Sequence, residues 1–288
     1  MHQVFLTECP RDAMQGLHEF IPTATKVRYL NALLKVGFPV LDFGSFVSPK
    51  AIPQLRDTAE VLDGLDLSSE TMQRTKLLAI IANARGAADA VKFEPITFLG
   101  FPLSVSETFQ QRNTNKSIAE ALAEVAQIQD LCLQHNKKMV VYLSMGFGNP
   151  YGEPYEVAQV EQLSEKLVNM GIETIALSDT IGVSNPSNIK PLFQALNAKF
   201  PNVTFSAHLH SNPATAIEKV AAAYEAGCRH FDAAIRGFGG CPMAKDDLTG
   251  NVATEQLLQF FKSQNIATNL NEQAFAEAFE LSAEVFAQ

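Results

Sequence analysis

A chain of 288 residues can hold one large domain or two small ones, and α/β barrels routinely use about 250 residues as a single unit. With 47% apolar and 18% charged residues the composition is that of a water-soluble protein with a sizeable core, and no apolar run reaches the roughly 20 residues of a membrane span. The net charge of −9 disfavours a nucleic-acid partner, and four scattered cysteines without a CxxC pair, behind an N-terminus unlike a signal peptide, point to a reducing cytoplasm.

The first predicted element is a strand at 3–8. Residues 23–42 then read as a helix with Val27, Leu30, Leu33 and Leu34 inward, a stop at Gly37, and the strand FPVLD ending in Asp42. Strands at 77–81 and 96–100 follow. A helix at 118–135 opens with Ser117 and Glu120, the spacing of a capping box. After a strand at 138–144, the scheme of helix, glycine and strand recurs at 155–179, where Val157, Val160, Leu163 and Leu167 precede Gly171 and the strand IETIALSD. A strand at 203–210 is followed by a third copy at 213–232, with Ile217, Val220 and Tyr224, then Gly227, then CRHFD. A glycine just past a helix takes the left-handed conformation cheaply and turns the chain into the next strand. Two further helices, at 252–264 and 271–286, are expected on the outside. Eight strands alternating with helices imply a parallel sheet, and in one domain of this length a closed (β/α)8 TIM barrel is its natural form, with the core over about 1–251. A doubly wound open sheet is the competing architecture.

In such barrels the chemistry sits at the carboxyl ends of the strands. That rule selects Arg11 and Asp12 after strand 1, Asp42 after strand 2, Ser144 after strand 5, Asp179 after strand 6, and His208 with His210 at the end of strand 7. Strand residues two apart share a face. In VTFSAHLHS, Phe205, Ala207 and Leu209 therefore face the helices, and Thr204, Ser206, His208 and His210 face the barrel axis. Two imidazoles at a barrel mouth form half of a metal site, although two hydrogen-bonded core histidines would give the same pattern. Asp12 can supply an oxygen ligand while Arg11 turns its guanidinium to a developing enolate oxygen, or the two can be an ordinary salt bridge. The glycine-rich stretch RGFGGCPMAKDDLTGN at 236–251 can be a set of tight turns or a lid carrying a reactive Cys241.

Taken together, PRDAMQ at 10–15, GSFVSPKAIPQ at 44–54, SDTIGV at 178–183, HLH at 208–210, GFGGCP at 237–242 and TGNVATE at 249–255 resemble the 3-hydroxy-3-methylglutaryl-CoA lyase family of metal-dependent barrel lyases, related to Claisen-type synthases. The resemblance implies one divalent cation, Mg2+ or Mn2+, held by Asp12, His208, His210 and Asn251. It implies Arg11 as the group that stabilises the enolate of departing acetyl-CoA, and Cys241 as the mobile-loop cysteine that passes a proton to the product carbanion. Asp42 stands in place of the family's glutamate, and Asp179 matches an aspartate that is a candidate for handling the substrate hydroxyl proton. Gln15, Ser45, Asn83, Asn115 and Ser144 fall at matching polar positions around the substrate. The implied reaction is retro-Claisen cleavage of an acyl-CoA thioester without a redox cofactor, in a homodimer with neither membrane nor nucleic acid as partner.

The chain departs from the family pattern in several places. RDAMQ replaces RDGLQ, Glu8 is displaced by one position from the family's glutamate and carries no role, and Ser211, Asn212 and Pro213 follow the His-x-His where the family continues with aspartate. One extra residue, beside Asp246 and Asp247, lies between Cys241 and Asn251. Three alternatives stay open. A Claisen synthase would share the metal residues but normally has a longer C-terminal region. A 4-hydroxy-2-oxo acid aldolase would depend on pyruvate instead of CoA, and a non-catalytic metabolite-binding barrel would show mismatched ligand positions.

Overall fold

The computed structural model describes residues 3–240 and 249–286. Within them eight parallel strands run β1 Phe5–Glu8, β2 Val40–Ser45, β3 Lys76–Ile80, β4 Ile96–Ser104, β5 Lys138–Ser144, β6 Thr174–Asp179, β7 Thr204–Ser211 and β8 His230–Ala233. They pair in sequence order, β1 also pairs with β8, and β6 pairs with β7, so the sheet closes on itself as a (β/α)8 barrel. The helices that cover it are α1 Pro10–Gln15, α2 Thr23–Val36, α3 Thr58–Asp63, α4 Ser69–Arg74, α5 Ala84–Ala90, α6 Glu107–Thr114, α7 Ile118–Gln134, α8 Val157–Asn169, α9 Pro186–Lys199 and α10 Ala216–Glu225.

The helix-glycine-strand copies behave as the sequence predicts. Gly37, Gly171 and Gly227 take left-handed φ values of 81°, 83° and 98°, which lets each chain reversal follow its helix directly. The capping box at Ser117 and Glu120 is formed and starts α7. The core has two layers set by strand alternation. Outward residues such as Leu6, Leu41, Leu177 and Leu209 pack against the helices, while Leu78, Val140, Tyr142 and Ala176 fill the barrel interior.

Two elements go beyond the predicted set. The segment after β1 is not a loop but the short helix α1, opened by Pro10, whose fixed φ suits a first helical turn. Residues Gly250–Asn251 form a ninth strand, β9, antiparallel to β7, with His210 opposite Asn251 and Ser211 opposite Gly250. The C-terminal helices α11 Thr254–Ser263 and α12 Glu272–Phe286 lie outside the barrel as expected. Phe261 of α11 packs on Phe231, and Phe286 of α12 meets Tyr29 of α2 edge-on.

Candidate metal centre at the barrel mouth

At the carboxyl ends of the strands, Asp12, His208 and His210 bring one ligand atom each within 4.8 Å of one another, all three buried. The two histidines come from the inward face of β7 and the carboxylate from the first turn of α1. Each imidazole is oriented by a second contact. His210 Nδ1 lies 3.1 Å from the Thr180 carbonyl oxygen, so this nitrogen carries the proton and Nε2 keeps its lone pair. That Nε2 is buried with no hydrogen-bond partner among the described residues, the condition of a ligand atom that can meet a cation. His208 Nδ1 lies 3.1 Å from Asp232 Oδ2, an arrangement that fixes the ring and raises its basicity as a ligand. Asn251, brought beside His210 by β9, donates through its amide nitrogen to Asp12 Oδ2 at 2.7 Å and to the Phe238 carbonyl at 2.9 Å, which leaves its oxygen as the atom to offer. Cys9, His208 and Asp232 form a second cluster of close ligand atoms, but there the imidazole nitrogen already has its partner. The donor set of the first cluster therefore fits a divalent cation.

The charges are arranged around Arg11. Its guanidinium donates to both oxygens of Asp42 (Nε at 3.2 and 3.0 Å, Nη2 at 2.6 Å), to Asp12 Oδ1 at 2.9 Å and to Gln15 Oε1 at 2.9 Å. Burial pushes the Asp12 carboxyl up, but Arg11 and then the two histidines outweigh it and hold the group at about 2. At Asp42 burial wins over the Arg11 charge, and the carboxyl rises to about 6. Burial also lowers Arg11, yet Asp42 and Asp12 more than compensate, so the guanidinium stays charged. For His208, burial lowers and the Asp232 hydrogen bond raises, with a net shift upward, whereas burial and the His208 charge carry His210 downward.

A cavity of about 370 Å3 opens over these groups, lined by Arg11, Asp12, Gln15, Ser144, His208 and His210, with Gly240 at its edge and an apolar wall that includes Val47, Ile52 and Phe109. Other residues selected from the sequence are placed elsewhere. Asp42 lies wholly buried beneath Arg11. Ser45 and Asn83 line a neighbouring cleft, where Asn83 caps α5 through Gly86 N at 2.9 Å and Ser45 Oγ accepts from Val47 N at 3.1 Å. Asn115 is the exposed left-handed residue ending α6, and Asn113 and Thr114 reach the cavity instead. Asp179 continues the outward face of Ile175 and Leu177, so its carboxylate points away from the cavity that Ser178 and Thr180 line. Its Oδ1 accepts from Val183 N and its Oδ2 from Ser184 N, Ser184 Oγ and Lys219 Nζ, so the carboxylate is engaged on the side away from the cavity. Cys241 and the extra loop residues lie outside the described residues.

Asp232 was missed at the sequence level although strand parity could have found it, since it lies near the carboxyl end of β8, two residues after the inward His230. Glu8 gained a structural role instead of a catalytic one. It accepts from Ile235 N at 2.8 Å and Thr254 Oγ1 at 2.6 Å and ties β1 to the root of α11.

A family model described as HMGL-like matches residues 4–281. The chain belongs to this family. It is 34% identical over 264 residues to the hydroxymethylglutaryl-CoA lyase YngG of Bacillus subtilis, covering 91% of this chain and 85% of that protein. Its fold matches a crystal structure of the Bacillus subtilis HMG-CoA lyase with a TM-score of 0.93 at 32% identity, covering 100% of this chain and 95% of the other. An HMG-CoA lyase of Acenitobacter baumannii, solved with coenzyme A and 3-methylmalate, matches with a TM-score of 0.90 at 30% identity over 99% of this chain and 92% of its own. Among the described residues of this HMGL-like protein, no helix is long and apolar enough to cross a membrane.

Proposed function

We propose that this protein cleaves 3-hydroxy-3-methylglutaryl-CoA to acetoacetate and acetyl-CoA with the help of one divalent cation. The observation that carries the proposal is the convergence of Asp12, His208 and His210, whose Nε2 has no partner among the described residues, beside Arg11 in one cavity of an HMGL-like chain. Oxygen and imidazole donors suit a hard or borderline ion, and Mg2+ or Mn2+ is proposed, with Asn251 completing the protein ligands. When bound, such an ion supplies Lewis-acid polarisation of the substrate oxygens and lowers the pKa of a hydroxyl.

The chain's own residues supply the rest. In the reaction the tertiary hydroxyl loses its proton, the C2–C3 bond breaks, acetoacetate departs, and the thioester enolate carbon takes up a proton. Arg11 places a permanent, buried charge against the enolate oxygen, where low polarity makes such a donor effective. Asp42 holds the guanidinium plane from behind, and Gln15 bridges Arg11 and Asp12. The apolar wall excludes water from the carbanion. Cys241, on the loop that follows Gly240, is proposed as the proton donor to that carbon. The hydroxyl proton goes to a group other than Asp179, whose carboxylate is engaged outside the cavity. The assembly is proposed to be a homodimer in the cytoplasm. Purified protein with Mg2+ or Mn2+ and the thioester is expected to release acetoacetate, and no cleavage with any divalent cation would overturn the assignment.

A further inference from the structure

Lys219 sits on α10, outside the barrel, yet it is only 3% exposed. A buried ammonium is expensive unless all three of its N–H groups are satisfied and a counter-charge is near. Here they are. Lys219 Nζ donates to Asp179 Oδ2 at 3.0 Å, to the Gly182 carbonyl at 3.0 Å and to the carbonyl of His210 itself at 2.9 Å. Asp179 in turn accepts from Val183 N at 2.8 Å and Ser184 N at 3.0 Å. The ion pair therefore straps the turn after β6 to the end of β7. Between those anchored points lies Thr180, whose carbonyl oxygen is the acceptor that keeps the proton on His210 Nδ1.

We propose that Lys219 and Asp179 are positioning residues for the metal centre: their buried ion pair holds the 179–184 turn so that the Thr180 carbonyl fixes the ring and tautomer of His210. The inference rests on the metal-site reading above. Its physical content is orientation. A peptide carbonyl on an unstrapped turn can rotate, and a histidine that loses its Nδ1 acceptor is free to move the proton to Nε2, the atom the cation needs. An apolar side chain at the Lys219 position would bury well against the barrel but would give the turn no such anchor. Retention of a costly ion pair is then explained by the geometry it imposes.

The test has two parts. In the metal-free wild type, the imidazole 15N shifts of His210 are expected to show a single tautomer protonated at Nδ1, and a mixture of tautomers would overturn the proposal. The second part is a Mn2+ titration followed by loss of the free-ion electron paramagnetic resonance signal. Lys219→Met alone leaves Asp179 unpaired, so it is compared with the charge-neutral pair Lys219→Met with Asp179→Asn. The folded neutral variant is expected to bind Mn2+ about tenfold or more weakly than wild type, the usual scale for losing an outer-shell contact, and to show mixed His210 tautomers. Affinity within twofold of wild type, with an unchanged tautomer, would overturn it. A wild type that binds no divalent cation would instead overturn the proposed function, whereas the tautomer measurement still judges the clamp.

Discussion

Replacement of Arg11 by lysine separates its two duties, holding carboxylates and facing the substrate. Arginine offers five N–H groups, and the structure accounts for four of them: Nε and one Nη2 hydrogen on Asp42, and the Nη1 pair on Asp12 and Gln15. The fifth has no acceptor among the described residues and is the one we assign to an oxyanion in the cavity that Arg11 lines. Lysine keeps the charge, so Asp12 and Asp42 retain a cation and the fold should hold. Its three donors on a single nitrogen, however, cannot reach Asp42 on one side, Asp12 and Gln15 on the other, and a substrate oxygen as well. Loss of one preorganised oxyanion donor costs about 2.7–4 kcal/mol, or roughly a hundredfold to a thousandfold in kcat. Acetoacetate release by Arg11→Lys at saturating metal should therefore show kcat at least about a hundredfold lower with KM little changed. Mn2+ affinity should stay within about threefold, because Asp12 keeps Gln15 and Asn251. A kcat within tenfold of wild type would refute the role. A parallel collapse of Mn2+ affinity would show that Arg11 acts mainly by shaping Asp12.

Three further perturbations follow from single contacts. Asp232→Asn retains an acceptor near His208 Nδ1 but removes its charge, so calorimetric Mg2+ or Mn2+ affinity should fall about tenfold or more, and an unchanged affinity would count against the orienting contact. Gly239 has φ of +90°, and a Cβ there would lie 2.7 Å from Asn251 Nδ2 and 2.8 Å from the Asp12 carbonyl oxygen. Gly239→Ala should thus weaken metal binding and lower the melting temperature together, and full retention of both would contradict the close approach. Burial raises the Glu8 carboxyl from 4.5 to about 8 against the pull of Thr254 and Ile235, so the folded state keeps a proton that the unfolded chain loses from about pH 4.5 upward. Wild-type stability should then fall between about pH 5 and 8 by an amount on the order of a few kcal/mol. Glu8→Gln keeps an acceptor for Ile235 N and should flatten that slope in denaturant titrations. Equal slopes for the two proteins would show that Glu8 is not the group responsible.

Period and punctuation carried most of the barrel. Apolar positions at helical spacing, glycines at helix ends and eight short strands are local properties, and strand alternation alone put His208 and His210 on the inward face of β7. The same alternation, applied to IETIALSD, would have placed Asp179 outside with Ile175 and Leu177. The rule that strand ends carry chemistry points to a position along the strand but not to a face, and that is how Asp179 entered the candidate set. Arg11 and Asp12 were legible because they follow the carboxyl end of β1 directly in the chain, which keeps them at the mouth whatever the local backbone; that they sit on a helix was not.

Other parts depended on contacts between segments far apart in the chain. Asn251 reaches His210 only because β9 pairs antiparallel with β7, a two-residue strand with no periodicity to read. Asp42 became the support of Arg11 across 31 positions, and Lys219 reached Asp179 across 40, since a buried charge takes whatever partner the packing brings to it. By itself the sequence determined the fold class, the strand that holds both histidines and the family resemblance, because these rest on local spacing and on short motifs. Only the tertiary structure decided which carboxylates face the cavity and which serve as struts, because the burial and hydrogen-bond partners that set those roles exist only once the barrel has closed.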